Sequence, residues 1–194
     1  MRCPACQNPV IENDTVCRHC GFTLEAADRH FGIPPATTKP VTDLVQVLSG
    51  SEKRKLERAA QRLLNRFPQV DVAVVLAAVP PEIPLGVYLF WMFNRGQFSS
   101  ASESGGANRL VLFCIDTTNH RAAAMAGYGL EPFLPEAQLQ LCLNVHAQTS
   151  QRDGLAAGIA AFWKELDAQL TKVHLQIPRL FGLKTNPDEA GNDF

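Results

Sequence analysis

At 194 residues, 46% hydrophobic and 19% charged, the chain has the composition of a soluble globular protein with room for one full domain and a small extra module. Eighteen basic side chains against nineteen acidic ones leave a formal net charge of -1, which argues against a surface dominated by nucleic-acid or anionic-membrane binding. No apolar run reaches the ~18 residues of a spanning helix, and the N-terminus begins with cysteines instead of a basic-then-apolar leader, so a cytoplasmic protein is expected.

Residues 1–25 carry Cys3 and Cys6 in one C-x2-C pair and Cys17 and Cys20 in a second, ten residues apart. Each pair suits a tight knuckle that places two thiolates on one metal, and two knuckles complete a tetrahedral four-sulfur zinc site. So short a segment has no core of its own, and metal binding would supply its folding free energy, on the order of 10–16 kcal/mol. Two spaced pairs exceed what a redox dithiol needs, and no βαβ pattern follows them. The segment resembles the short zinc ribbons at the N-termini of many bacterial proteins, through Cys3-Pro4-x-Cys6 and Cys17-x-x-Cys20-Gly21. Four thiolates fill the shell, leaving His19 as a solvated side chain and the zinc structural. Arg2, Arg18 and Arg29 are outweighed by Glu12, Asp14, Glu25 and Asp28, so the ribbon has no phosphate-binding footprint and a protein partner is the expectation, not nucleic acid.

Residues 26–40 read as a proline-containing linker. A single larger domain is expected over 41–175. In it, Asp43 heads the short apolar run Leu44–Leu48, and Ser51 is the expected N-cap of a helix. Leu56, Ala59, Ala60, Leu63, Leu64 and Phe67 form its apolar face, and Pro68 ends it. Val70–Val79 is a β-prone run suited to a central strand covered on both faces, and Leu85–Asn94 a helix whose aromatics serve the core. The Ser- and Gly-rich stretch Gln97–Asn108 reads as a mobile loop.

Arg109–Glu136 is the most informative stretch. Leu110–Ile115 reads as a strand, Asp116-Thr117-Thr118-Asn119 as a turn, and the small-residue run that follows as a second strand ending on Gly127-Tyr128-Gly129. Glycines flanking Tyr128 suggest a sharp turn or the close approach of another group to the backbone. A helix from Glu136 to about Gln148 carries Leu139, Leu143 and His146 on one stripe, and Asp153-Gly154 starts a last helix that keeps its period to Val173. Cys114 and Cys142 read as buried small hydrophobes. Residues 176–194 are expected to be a disordered tail.

This order of helix, strand, helix, loop, hairpin ending in Gly-Tyr-Gly-Leu-Glu, helix, Asp-Gly and helix resembles the TPM domain over about residues 40–173. The anchors are Val41-Thr42-Asp43 with Leu48-Ser49, the strand Asp71–Val79, Trp91, Leu110–Asp116, Gly127–Glu131 and Asp153-Gly154. That family takes its name from a thylakoid-lumen phosphatase, a photosystem II repair protein and a nematode acetylcholine-receptor modulator. The resemblance implies an α/β class fold, a three-layer α/β/α sandwich around a small mixed sheet. Some members are described as acid phosphatases, and some bind calcium or another divalent ion through acids at one end of the sheet. Carried onto this chain, those places fall on Asp43, Asp116, Glu131 and Asp153. The usual Asn-Gly step before the third strand is replaced by Gly105-Gly106-Ala107-Asn108.

Two functions follow. As an enzyme the protein would be a cation-dependent phosphomonoester hydrolase, with Asp116 and Glu131 as ligands and another acid as base. The sequence has no Cys-x5-Arg loop, P-loop or Asp-x-Asp pair to support that chemistry. As a non-catalytic module, ribbon and TPM-like domain would bind a protein partner, with the acids structural or gripping one calcium ion. That second reading needs no missing parts and is preferred.

Overall fold

The computed structural model describes residues 2–11, 14–37, 39–98 and 106–180. Its elements in chain order are α1 (Leu24–Phe31), β1 (Ala36–Thr37), β2 (Val41–Asp43), α2 (Gly50–Arg66), β3 (Asp71–Ala77), α3 (Leu85–Arg95), β4 (Gln97–Phe98), a single 3-10 turn (Gly106–Arg109), β5 (Leu110–Asp116), β6 (Arg121–Ala126), α4 (Glu136–Asp153) and α5 (Leu155–Leu180). The main sheet has four strands in the order β2-β3-β5-β6. The first three are mutually parallel and β6 runs antiparallel to β5, so the sheet is mixed, as expected.

Two apolar layers sandwich it. Val72, Val74, Leu76, Val111, Phe113 and Ile115 point to one face, against Leu56, Ala60 and Leu63 of α2, Leu139 and Cys142 of α4, and Ile159, Phe162 and Leu166 of α5. The alternate residues Ala73, Val75, Ala77, Leu112 and Cys114 point to the other face, against Leu85, Leu89, Trp91 and Met92 of α3 and Ala27 of α1. This period-two split explains why β3 and β5 read as unbroken apolar runs: a strand covered on both faces has no solvent side. Phe113 is the pivot of the first layer, its ring stacked on Phe162 at 4.1 Å between centroids.

Several boundaries differ from the sequence expectation. The stretch expected to be linker begins inside α1, and β1 within it pairs in parallel with β4. α1 is only 8 residues long, too short to persist alone, and it forms because Thr23 caps it and its apolar side packs on α3. The loop expected over Gln97–Asn108 therefore opens with a strand and closes with a 3-10 turn; residues 99–105 lie outside the described residues. The N-cap of α2 is Ser49, not Ser51: Ser49 and Glu52 form a reciprocal capping box. α4 runs on to Asp153, so Asp153-Gly154 ends that helix instead of starting the next, with Gly154 at φ 92 as its C-cap. α5 continues past Pro178 to Leu180, so the expected tail opens in helix; of that tail, residues 181–194 lie outside the described residues.

Candidate functional site

The two C-x2-C knuckles meet. Cys3 Sγ lies 3.7 Å from Cys20 Sγ and Cys6 Sγ lies 3.8 Å from Cys17 Sγ, and all four ligand atoms fall within 4.8 Å of one another. A tetrahedron of sulfurs about 2.3 Å from a central zinc has edges of about 3.8 Å, so the donor set and its spacing fit that metal. Backbone bonds of the knuckle type support the sulfurs. The Asn8 backbone, joined by its side-chain amide, holds the Cys6 thiol down to about 6. His19 is exposed and stands outside the cluster.

The ribbon is not a free appendage. Phe22 meets Phe90 of α3 edge to face, and Phe31 packs on Tyr88 and Trp91. Asp28 of α1 accepts from Trp91 Nε1 at 3.2 Å and from both Nε and Nη2 of Arg95. At the start of α3, a Cβ on Gly86 would stand 3.1 Å from the Pro4 carbonyl oxygen, so the first knuckle rests directly on that helix.

The second site lies where β5 ends. Asp116 is completely buried and faces Arg121 across the hairpin as its register partner. Its Oδ2 accepts from Arg121 Nε at 2.8 Å, from Nη2 at 2.6 Å and from Asn119 Nδ2 at 2.8 Å. Its Oδ1 accepts from the backbone N–H groups of Val79, Thr118 and Asn119 at 3.2–3.3 Å. Burial pushes the carboxyl up, but the bonds from Asn119, Arg121 and the Val79 backbone outweigh it and hold Asp116 below the usual carboxylate range. Arg121 extends this network to the carbonyls of Ile83, Val79 and Pro80, clamping the β5–β6 turn to the segment between β3 and α3.

The other three acids take separate places. Asp43 accepts from the N–H groups of Val47 and Leu48, closing the turn after β2. Glu131 is exposed on the turn that leaves β6, and Asp153 pairs with its neighbour Arg152 at the end of α4. Among the described residues, the four cysteines are the only group of three or more His, Cys, Asp or Glu side chains close enough to share a metal ion. Beside Asp116 lies a cavity of about 750 Å³ between the β5–β6 turn and α4, walled by Val47, Leu143, Ala147 and Leu155 and edged by Gln140, Asn144 and Gln151. His146 is 5% exposed at its base, its ring edge-on to Phe113 and its Nδ1 3.4 Å from Ser150 Oγ. Burial pushes its pKa down, with the Gly158 backbone opposing, so the ring is neutral near pH 7.

The TPM domain model matches residues 41–169, more than half of the chain, taking in the four-stranded sheet, α2, α3, α4 and the first part of α5. The chain belongs to the TPM domain family. The N-terminal domain of a P. gingivalis protein, solved by solution NMR, superposes with a TM-score of 0.56 at 22% identity, over 70% of this chain and 84% of that one. The N-terminal domain of a Corynebacterium glutamicum protein superposes with a TM-score of 0.51 at 14% identity, over 71% and 83% respectively. At such identities the likeness is one of fold. No curated protein matches the sequence.

Within this TPM domain, sequence reasoning found Asp116 but missed what holds it. Asp116-x2-Asn119-x-Arg121 contains the signal: an acid and a base opposite each other across a tight turn are cross-strand partners. His146 reads as a stripe residue of a helix and Ser150 lies beyond that helix's expected end, and only packing against β5 and α5 places them at the cavity.

Proposed function

We propose that the protein is a non-catalytic interaction module, in which a zinc ribbon and a TPM domain dock together to present a binding surface to a protein partner. One observation carries this reading: the Asp116 carboxylate is spent. A carboxylate offers about four lone-pair sites, and six donors including a guanidinium already converge on Asp116. A calcium ion at Asp116 would have to displace Arg121 and break the clamp that holds the turn. A four-thiolate zinc is coordinatively closed and serves structure. It also needs reduced thiols, which supports a cytoplasmic location.

The test pairs metal analysis with a phosphatase assay. The purified protein is expected to hold one zinc per chain, to show no calcium-dependent rise in melting temperature, and to leave p-nitrophenyl phosphate intact with calcium, magnesium or manganese present. Hydrolysis that disappears in Asp116→Ala, or saturable stabilisation by calcium, would overturn this reading in favour of the divalent-cation-dependent phosphatase of the TPM type.

A further inference from the structure

β6 is the last strand of the main sheet, and among the described residues no strand pairs with its outer side. The bond from Gly127 N–H to the Leu110 carbonyl, read along the β5 register, turns the backbone groups of Arg121, Ala123 and Met125 inward. The N–H and C=O groups of Ala122, Ala124 and Ala126 therefore point away from β5. Proteins usually shield such an edge by shortness, proline, a bulge or charge. The opposite edge, β2, obeys this with three residues, Val41–Asp43. β6 does not: it spans six residues, is continuously in register, and carries neither proline nor charge after Arg121.

The cavity beside Asp116 opens at the start of this strand, where Ala122 lines it together with Leu143, Asn144 and Ala147 of α4. The Asp116–Arg121 pair cancels its own charge, and the rest of the lining is apolar, amide, hydroxyl or imidazole. An open strand edge continuous with a side-chain pocket is the arrangement that strand addition uses, main-chain bonds giving affinity and the pocket giving selectivity. Resting on the interaction-module reading, we propose that β6 and this cavity form a docking site for an extended, uncharged peptide segment of a partner protein. The segment adds to the sheet as a fifth strand and sets an apolar side chain into the cavity between Ala122 and α4. A second copy of β6 would satisfy the edge but bring mainly alanine side chains, too small for a space of about 750 Å³.

The experiment selects a phage-displayed library of random short peptides against the zinc-loaded full chain. Binding is measured by fluorescence polarisation, and amide exchange is followed by NMR. Selected peptides are expected to be uncharged and to slow exchange at Ala122, Ala124 and Ala126. Ala124→Pro deletes an outward N–H without touching the β5 ladder, and is expected to weaken binding about tenfold. Ala147→Trp fills the cavity from an exposed position and should do the same; it serves alone if the proline variant does not fold. The site is overturned if no peptide is selected, or if selected peptides bind both variants like wild type. It is also overturned if those amides are already protected in the free protein: concentration-dependent protection would assign the edge to a second copy, concentration-independent protection to another segment of this chain. A partner held by the ribbon and indifferent to both variants would remove this site while leaving the interaction-module reading intact.

Discussion

At Asp116 two opposing effects meet: full burial disfavours the charged carboxylate, and the converging donors favour it, with the donors prevailing. Because the folded pKa lies below the unfolded value, the pair contributes stability above pH ~4 that is lost as pH falls through the folded pKa. Asp116→Ala should cost about 3 kcal/mol at pH 7, the lower end for breaking a buried pair because Arg121 keeps its carbonyl acceptors. Urea denaturation of wild type and variant at pH 7 and pH 3 checks this: the gap between them should narrow at the lower pH. A gap that is constant with pH would mean that the charge of Asp116 contributes nothing. Legibility in the sequence divides at this same residue. That Asp116 begins a turn follows from its neighbours Thr117-Thr118-Asn119, whereas its saturation depends on Val79 and Arg121, brought in by β3 and β6.

At the scale of single elements, local signals and tertiary contacts decide different things. The start of α2 is local: Ser49-x-x-Glu52 is a capping box, so Ser49→Ala should cost about 1 kcal/mol in urea denaturation and Ser51→Ala much less. The crossing of α4 and α5 is tertiary. A Cβ on Gly158 would stand 1.8 Å from Ser150 Oγ and 2.9 Å from the His146 carbonyl, so Gly158→Ala should destabilise by about 1–3 kcal/mol. Adding Ser150→Gly should recover part of that loss, and a double-mutant cycle by thermal melting measures the coupling. Gly127 bears out the close approach expected from the glycines around Tyr128: a Cβ there would stand 2.2 Å from the Ala107 carbonyl oxygen. α1 shows the reverse case. Thr23 caps it and it carries apolar side chains, but from Ala26 on its residues fall in the proline-containing stretch that reads as linker until α3 is there to pack against.

For the molecule as a whole, the consequence is that the ribbon and the TPM domain share a layer, α1 and Pro4 resting on α3. Metal removal should therefore be felt beyond the ribbon. A zinc chelator is expected to lower the melting temperature and to red-shift the fluorescence of Trp91, whose indole bonds Asp28 of α1. Trp163 sits in the opposite layer, so the shift should vanish in Trp91→Phe; a chelated protein with an unchanged spectrum would mean that the ribbon folds and melts alone. The sequence by itself determined the four-cysteine site, the period-two strands, the amphipathic helices and the hairpin, because each depends on residue type and spacing within a few turns of chain. Only the tertiary structure decided that the Val79 backbone is brought to Asp116, that Asp43, Glu131 and Asp153 do not gather with it into a group able to share an ion, and that β6 stands at an open edge beside a cavity. Those outcomes depend on which segments distant in sequence meet, and no local pattern of side chains carries that information.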